Sequence, residues 1–360
     1  MSPDGTKETA PAAELCPPTA AAQWLRRDTS GVIANRNPST KPRVSALRLR
    51  TRPPAPHKRI REPTASIIMA QDPRALLQKA EKALQGAGSG FSFFGGREEK
   101  YQNAADMFVQ AANAFKMQKQ NVDAGKAFEQ AAQIQTNKLN EPDDAANTLV
   151  DAFKAYRKED PQAAARCLNV AIDRYCSKGN FRRAATHKES LGELYEQDLG
   201  DTKSALEAYE SAAGWYEGDN ANALANKLWL KVADVAALDG DYNKAIDNYE
   251  KVAEQSINNN LMKYSVKDYL LKAGICHLAS GDLVAAQRAL ERYRELDPGF
   301  ATQREHMLLV DLCEAVEAKS QEQFTDKLFQ YDQVSKLDKW KTTILVRVKN
   351  SIEEADDEFA

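Results

Sequence analysis

The 360-residue sequence lacks the residue patterns on which most enzyme and metal sites are built. It has no G-x-x-x-x-G-K-[ST] loop for nucleotide phosphates, no G-x-S-x-G nucleophile turn and no C-x-x-C pair. Its four histidines and five cysteines are scattered, without the spacing of a zinc site. These absences predict no cofactor and no metal, and they argue against an enzyme.

Long apolar runs and a charge of one sign are also missing. No stretch of about 18 apolar residues occurs, which predicts that no helix spans a membrane. Lys and Arg number 49 and Asp and Glu number 52, so the net charge is −3 and nothing in the overall charge attracts nucleic acid. The sparse cysteines indicate a reducing compartment, in which thiols pack as small hydrophobic groups.

Large apolar residues are scarce in residues 1–68, which hold ten of the 14 prolines. This segment carries twelve Lys and Arg against five Asp and Glu, and it cannot bury enough apolar surface to offset the entropy of folding. We predict a disordered, basic, proline-rich extension that is dispensable. A transit peptide is the alternative, because residues 43–61 are basic, although the early acids Asp4, Glu8 and Glu14 are unusual for one.

From Asp72 onwards the sequence predicts helices and no sheet. Apolar residues recur at helical spacing, and no sustained period-two alternation is present. Three prolines follow an acidic residue at predicted helix starts, where proline is favoured: Pro73, Pro142 and Pro161. About fourteen helices fit between Asp72 and Asp357, and we expect the last of them over residues 336–352.

A repeat of about 40 residues is the strongest signal in the sequence. A Gly-Asp pair recurs at spacings of 40 and 41, followed at fixed offsets by an alanine and then by a large side chain. The small residue lets paired helices approach closely, and the large one fills the gap beside it. Such a period in a helical pattern predicts a solenoid of helix hairpins. The positions are Gly200, Gly240 and Gly281, then Ala205, Ala245 and Ala286, then Tyr209, Tyr249 and Leu290.

This arrangement, with Leu191-Gly192 and Tyr195, resembles the tetratricopeptide (TPR) repeat. The predicted fold class is all-α: a right-handed TPR-like solenoid of helix hairpins over residues 69–300, capped by a C-terminal helical bundle and an acidic tail over residues 301–360. In such solenoids the first helix of each pair lines the concave face, which presents an extended surface to another protein.

Two segments carry aromatic rings in unusual settings. Residues 86–96 read GAGSGFSFFGG, which predicts a flexible loop. Its rings Phe91, Phe93 and Phe94 either pack back on the first helices or enter a membrane surface, where each contributes about 1.5–3 kcal/mol. The chain ends in an acidic run closed by Phe359, which is either a solvated tail or a grip for a basic, pocketed partner.

Several short strings in the same order resemble the soluble NSF attachment protein family over residues 69–360. They are FSFFGG from Phe91, AANAFKM from Ala111, KYSVKDY from Lys263 and LDKWKTT from Leu337. The resemblance implies an adaptor that coats an assembled complex of syntaxin-type and partner SNAREs on a membrane and recruits the AAA ATPase NSF, which pulls the SNAREs apart. It also implies a cytoplasmic protein peripherally bound to endomembranes (ER, Golgi, vacuole or vesicles). Residues 1–68 have no counterpart in this resemblance.

The resemblance assigns residues to the membrane and to the SNARE complex. Phe91, Phe93 and Phe94 match the family's membrane-attachment loop. Lys227 matches a basic SNARE-facing position. The family's other prominent SNARE-facing lysine aligns with Thr186 here, so that this contact is displaced or lost; Lys188 follows two residues later.

The resemblance also assigns contacts with NSF near the C-terminus. Glu314 and Glu317 match acidic positions of the family, and the acidic tail forms the other contact. Phe359 stands where the family has a penultimate apolar residue, usually leucine, that stimulates the ATPase. The tail residues are Asp356, Asp357, Glu358 and Phe359.

Charge alone predicts a similar surface. The predicted first helices carry Lys227 and Lys231, then Lys263 and Lys267, with each pair one helical turn apart. The second helices carry acidic residues instead: Glu207, Glu210, Asp247, Glu250 and Glu254. A basic stripe of this kind suits an acidic helical bundle. Mixed surface charge is the simpler interpretation. The alternative function is a TPR scaffold that binds an extended peptide tail, as co-chaperones do, and a third is a structural scaffold without a membrane role.

Overall fold

Fourteen α-helices make up the described part of the chain in this computed structural model. The structure describes residues 72–89 and 96–357, all of which belong to the unit Met69–Ala360. No strand occurs in these residues, as the sequence predicts. The helices are α1 (Pro73–Ser89), α2 (Gly96–Met117), α3 (Asn121–Asn137), α4 (Pro142–Tyr156), α5 (Pro161–Ser177), α6 (Phe181–Leu194), α7 (Thr202–Gly218), α8 (Asn222–Asp239), α9 (Tyr242–Ser256), α10 (Lys263–Ala279), α11 (Leu283–Leu296), α12 (Arg304–Glu317), α13 (Gln321–Val334) and α14 (Lys339–Asp357).

The predicted helix starts are confirmed. Pro73, Pro142 and Pro161 are the first residues of α1, α4 and α5, where the missing proline N–H costs no intrahelical hydrogen bond. The predicted extension 1–68 lies outside the described residues.

The recurring Gly-Asp pairs form the turns between helices. Gly240 ends α8 with φ +97, a left-handed conformation that glycine adopts without steric cost. Asp241 then starts α9, and its side chain accepts a hydrogen bond from the N–H of Lys244 at 3.1 Å. The pairs at Gly200 and Gly281 repeat this geometry. The 40-residue period is therefore a repeated helix stop followed by a helix start.

Alanine and tyrosine occupy the core positions that the repeat predicts. Ala205 and Ala245 are fully buried, and so are the rings of Tyr209 and Tyr249. One glycine is required by this packing: a Cβ on Gly192 would lie 2.7 Å from Cε1 of Tyr209. The small residues thus admit the large rings of the next helix.

The C-terminal helix α14 lies against α8 and α10. Its Trp340 donates a hydrogen bond from Nε1 to the carbonyl of Asp234 at 2.9 Å. Buried Lys341 pairs with Asp268 at 2.7 Å and Asp338 at 2.8 Å. The division into a solenoid over 69–300 and a cap over 301–360 stays a prediction.

Two predicted boundaries are wrong. The last helix begins at Lys339, not at residue 336, because Asp338 caps it by accepting a hydrogen bond from the Lys341 N–H at 2.8 Å; it ends at Asp357. Residues 86–89 are not loop but the last residues of α1. Ala87 is buried there, so tertiary packing outweighs the low helix propensity of the neighbouring glycines.

Candidate partner-binding surface

Ion pairs between every second helix divide the solenoid into two layers. Arg157 of α4 pairs with Glu193 of α6, and corresponding pairs link α6 to α8, α8 to α10 and α10 to α12. We call the even-numbered helices from α4 to α12 the even layer. Pairs such as Lys244–Glu210, between α9 and α7, define an odd layer from α3 to α11. The predicted SNARE-facing lysines all lie on even-layer helices.

Lys227 projects from α8 and is anchored to α6. Its Nζ lies 2.8 Å from Oε1 of Glu189. The lysine side chain is 68% exposed and the glutamate only 18%, so the ammonium group is the outer member of the pair. The hydrogen bond to Glu189 raises the pKa of Lys227, which keeps it charged.

Lys231, one turn further along α8, belongs to a triad with Glu196 and Tyr209. Its Nζ lies 2.6 Å from Oε1 of Glu196 and 5.8 Å from the ring centroid of Tyr209. The Tyr209 hydroxyl donates to the other carboxylate oxygen at 2.7 Å. Glu196 lies in a π-helical turn, Tyr195–Leu199, that follows α6. Burial, and then the Glu196 carboxylate, raise the pKa of the Tyr209 hydroxyl, which therefore stays a donor.

The next repeat builds the same triad from Lys272, Asp234 and Tyr249. Lys272 Nζ lies 2.7 Å from Oδ1 of Asp234, and the Tyr249 hydroxyl donates to the same oxygen. Lys272 Nζ also lies 4.9 Å from the ring centroid of Trp340 of α14. Only 15% of the Lys272 side chain is exposed, so it supports the core. The repeated tyrosine is the sequence signal for these triads. From the sequence alone it predicts only a packing role.

The lysines of α10 differ from each other in their anchors. Lys267 Nζ lies 2.7 Å from Oε1 of Glu305, the first-turn acid of α12, whose side chain is only 11% exposed. Lys263 is exposed and lies over the ring of Tyr264, 5.4 Å from its centroid. Lys227, Lys231 and Lys267 are thus anchored ammonium groups on the neighbouring even-layer helices α8 and α10, and we call these three residues the lysine row.

Thr186 and Lys188 do not lie on the same side of α6. Successive residues turn by about 100° in a helix, so Lys188 lies about 200° round from Thr186. The Thr186 hydroxyl lies 3.0 Å from the hydroxyl of Tyr216 on α7 and is already engaged. Lys188 therefore does not occupy the side of α6 on which Thr186 replaces the family's lysine. A contact between Lys188 and the SNARE complex stays a prediction.

The predicted acidic surface of the odd layer is partly wrong. Glu250 is only 14% exposed: the hydroxyl of Tyr293 donates to its Oε1 at 2.6 Å, and Arg292 pairs with its other oxygen. Glu210 pairs with Lys244 at 3.0 Å. These carboxylates are used inside the fold, because each satisfies a cation or a buried hydroxyl one repeat away.

The predicted NSF and membrane residues are described only in part. Glu314 and Glu317 are exposed in the last turns of α12. Asp356 and Asp357 end α14, and their side chains are not described. Five predicted residues lie outside the described residues: Phe91, Phe93, Phe94, Glu358 and Phe359.

Residues 72–89 and 96–357 hold neither a candidate membrane span nor a candidate metal site. No helix there is both long and apolar enough to cross a lipid bilayer. No group of three His, Cys, Asp or Glu side chains is placed to hold a metal ion in that part of the chain. The site that the described residues offer is a charged surface.

Fold and surface together define a class: an all-α solenoid of TPR-like helix hairpins with a row of anchored lysines on one layer. The family model for "Soluble NSF attachment protein, SNAP" matches residues 71–353. The chain belongs to this family, as its resemblance in sequence predicts.

Relatives of the chain carry names from vesicle fusion. It is 58% identical to the "Probable vesicular-fusion protein sec17 homolog" of Neurospora crassa over 292 residues, which are 81% of this chain and all of the relative. Its identity to a protein of the same name from Schizosaccharomyces pombe is 54% over 291 residues, again 81% of this chain and all of the relative. The human "Alpha-soluble NSF attachment protein" is 42% identical over 285 residues, 79% of this chain and 96% of the relative.

Proposed function

We propose that this chain is an adaptor, not an enzyme, which binds assembled SNARE complexes and recruits and stimulates NSF for SNARE disassembly in vesicle fusion. Membership of the soluble NSF attachment protein family and the names of its relatives support this role. The observation that carries it is the lysine row, three anchored ammonium groups on the two consecutive even-layer helices α8 and α10.

The row suits a long acidic helical partner for three reasons. Each ammonium group is held by a carboxylate on the next helix, so it loses little side-chain freedom on binding. Each is more exposed than its carboxylate, so a partner meets positive charge first. The three lysines lie on two successive repeats, so an acidic helical bundle that runs along the even layer would meet them in turn. Lys263, at the start of α10, extends the row, and Lys188 remains a further candidate.

A membrane contact through residues 91–94, which precede α2 in the sequence, completes the adaptor at its N-terminal side. Phe91, Phe93 and Phe94 supply three rings, each contributing about 1.5–3 kcal/mol on burial in lipid, which gives weak, reversible attachment. Several copies on one SNARE complex then bind through avidity. We expect Phe93→Ser with Phe94→Ser to reduce liposome flotation and leave the melting temperature nearly unchanged. A large loss of melting temperature would assign the rings to the core.

The NSF contact belongs to the C-terminal side. Exposed Glu314 and Glu317 offer two carboxylates one turn apart, and the acidic tail adds Asp356, Asp357 and Glu358. Acidic groups of this kind mainly steer and orient a basic partner. Phe359 supplies the short-range apolar contact, and the adaptor works in the cytoplasm, peripherally bound to endomembranes.

The direct test is a pull-down of NSF on an assembled SNARE complex with and without this chain. The proposal expects NSF to be retained only when the chain is present, and SNARE disassembly to follow on addition of ATP. A chain that fails to retain NSF, but binds a short peptide tail, would instead be a TPR peptide-binding scaffold.

A further inference from the structure

One cation of the even layer is anchored by neutral groups. Arg183, in the first turn of α6, donates from Nη2 to Oδ1 of Asn147 on α4 at 2.7 Å. Its Cζ lies 4.5 Å from the ring centroid of Tyr175. The Tyr175 hydroxyl donates to the same Asn147 oxygen at 3.0 Å, and His187 stacks on the ring at 5.3 Å. The guanidinium is thus fixed in direction by a hydrogen bond and an aromatic face.

This anchoring leaves the charge of Arg183 uncancelled. Lys227, Lys231 and Lys267 each contact a carboxylate, whereas Arg183 makes no ion pair within the described residues. The group has four further N–H donors, enough for a bidentate contact with a carboxylate. It is exposed to solvent.

The surrounding charges do not neutralise it. The nearby acid Asp151 pairs with Lys154 at 2.9 Å, and Asp143 pairs with Arg174 and Lys178. Burial, followed by the charges of Arg183 and Lys154, lowers the pKa of His187, so this ring is neutral at pH 7.

The position of Arg183 also fits the candidate surface. It precedes Thr186 by three residues, and residues three apart in a helix are neighbours on one face. Thr186, engaged with Tyr216, offers no charge there. Arg183 therefore supplies a cation on the Thr186 face of α6, in the same even layer as the lysine row of α8 and α10.

We propose that Arg183 is a further partner-binding residue, which makes a bidentate contact with a carboxylate of the acidic helical bundle and is oriented for this by Asn147 and Tyr175. The inference rests on the proposed SNARE-binding function. It adds α6 to the interface through a residue outside the lysine row.

The test exchanges the neutral anchor for a charged one. Asn147→Asp keeps the shape of the side chain but places a carboxylate where Arg183 donates, so the arginine becomes paired like the lysines. We expect affinity for a purified, assembled SNARE bundle to fall about three- to tenfold at low ionic strength, with the difference shrinking as salt increases. Asn147→Ala removes the anchor but leaves the charge, and its affinity should change by less than about twofold. Asn169→Asp on α5 of the odd layer controls for the added negative charge and should have no effect.

Three outcomes would overturn the inference. In the first, Asn147→Asp binds with the affinity of the unmodified chain while Lys227→Glu with Lys231→Glu binds more weakly. This result would remove Arg183 from the interface and leave the proposed function intact. Equal losses for Asn147→Asp and Asn147→Ala would assign the effect to packing, as would a lowered melting temperature of both. Unchanged binding by all variants, the lysine pair included, would contradict the SNARE-binding surface itself.

Discussion

Each lysine of the row is held by an acidic residue on the neighbouring helix of its own layer. The side chains of Lys227 and Lys267 are 68% and 43% exposed, and those of their glutamate partners only 18% and 11%. Exposed ion pairs of this kind contribute little to stability, about 0–1 kcal/mol each. Their effect is to orient the lysines, which favours a role in binding over a role in folding.

The triad of Lys231, Glu196 and Tyr209 joins this surface to the core. The Tyr209 hydroxyl can be removed by substitution with phenylalanine, which keeps the shape of the ring. Tyr209→Phe deletes the hydrogen bond to Glu196, and we expect a loss of about 1.5–2 kcal/mol in the free energy of unfolding, because the acceptor is charged. Tyr216→Phe on the same helix is the matched control. Its hydroxyl bonds the neutral Thr186, so the loss should be about 0.5–1 kcal/mol. Urea denaturation of both variants measures the difference, and equal losses would contradict the charged triad.

At this scale the sequence predicted the lysines but not their anchors. Lys227, Lys231 and Lys267 follow from charge and helical spacing, whereas Glu189 and Glu305 lie about one repeat away in sequence. Their pairing depends on how far one helix is shifted along the next, which composition and periodicity do not encode. The sequence did not single out Arg183 either, because its uncancelled charge depends on Asn147 and Tyr175, which lie on other helices.

Helix ends are the elements that the sequence predicts best. A glycine followed by aspartate encodes both the left-handed stop of one helix and the cap of the next, so these turns need no tertiary information. Two boundaries needed it. Buried Ala87 extends α1 through a glycine-rich stretch, and Asp338 starts α14 later than the apolar residue Leu337 suggests.

Arg347 of α14 joins this helix to the end of α8, in addition to the hydrogen bond from Trp340 to Asp234. Arg347 donates from Nη2 to the carbonyl of Leu238 at 2.7 Å and from Nη1 to that of Ala237 at 3.1 Å. These carbonyls belong to the last turn of α8, where intrahelical donors are missing and positive charge is favourable. Arg347 thus caps α8 from the helix that leads to the acidic tail.

We expect Arg347→Ala to loosen α14 without unfolding the solenoid. Amide hydrogen exchange should become faster in α14 and in the last turn of α8, and remain unchanged in α2 to α5. NSF stimulation should fall while SNARE binding is retained, because α14 no longer holds the start of the acidic tail in one position. Lys349→Ala is the control, since that side chain makes no hydrogen bond or ion pair with a described residue. Unchanged exchange in α14 would show that apolar packing alone holds it.

For the molecule as a whole, the repeat accounts for the function as well as the fold. A period of about 40 residues places side chains of α8 and α10 at similar positions of one layer, so Lys227 and Lys267 recur one repeat apart. The sequence predicted this architecture because the repeat is local in origin. The acidic odd layer was a wrong prediction in part, because Glu210 and Glu250 are used to join helices of that layer.

The odd layer supplies a control for the central claim that the even layer binds an acidic partner. Lys244 and Lys251 of α9 pair with glutamates of α7, as Lys227 and Lys231 of α8 pair with acids that follow or belong to α6. Reversing either pair of lysines to glutamate changes the net charge equally. The two double variants thus place the same charge change on different layers.

The most direct measurement is therefore the affinity of both double variants for an assembled SNARE bundle across a range of salt concentrations. We expect Lys227→Glu with Lys231→Glu to weaken binding about tenfold or more at low ionic strength, with the loss decreasing as salt screens the charges. Lys244→Glu with Lys251→Glu should bind within about twofold of the unmodified chain. Equal losses in the two variants, or a greater loss from the odd layer, would contradict the assignment of the even layer as the partner-binding surface.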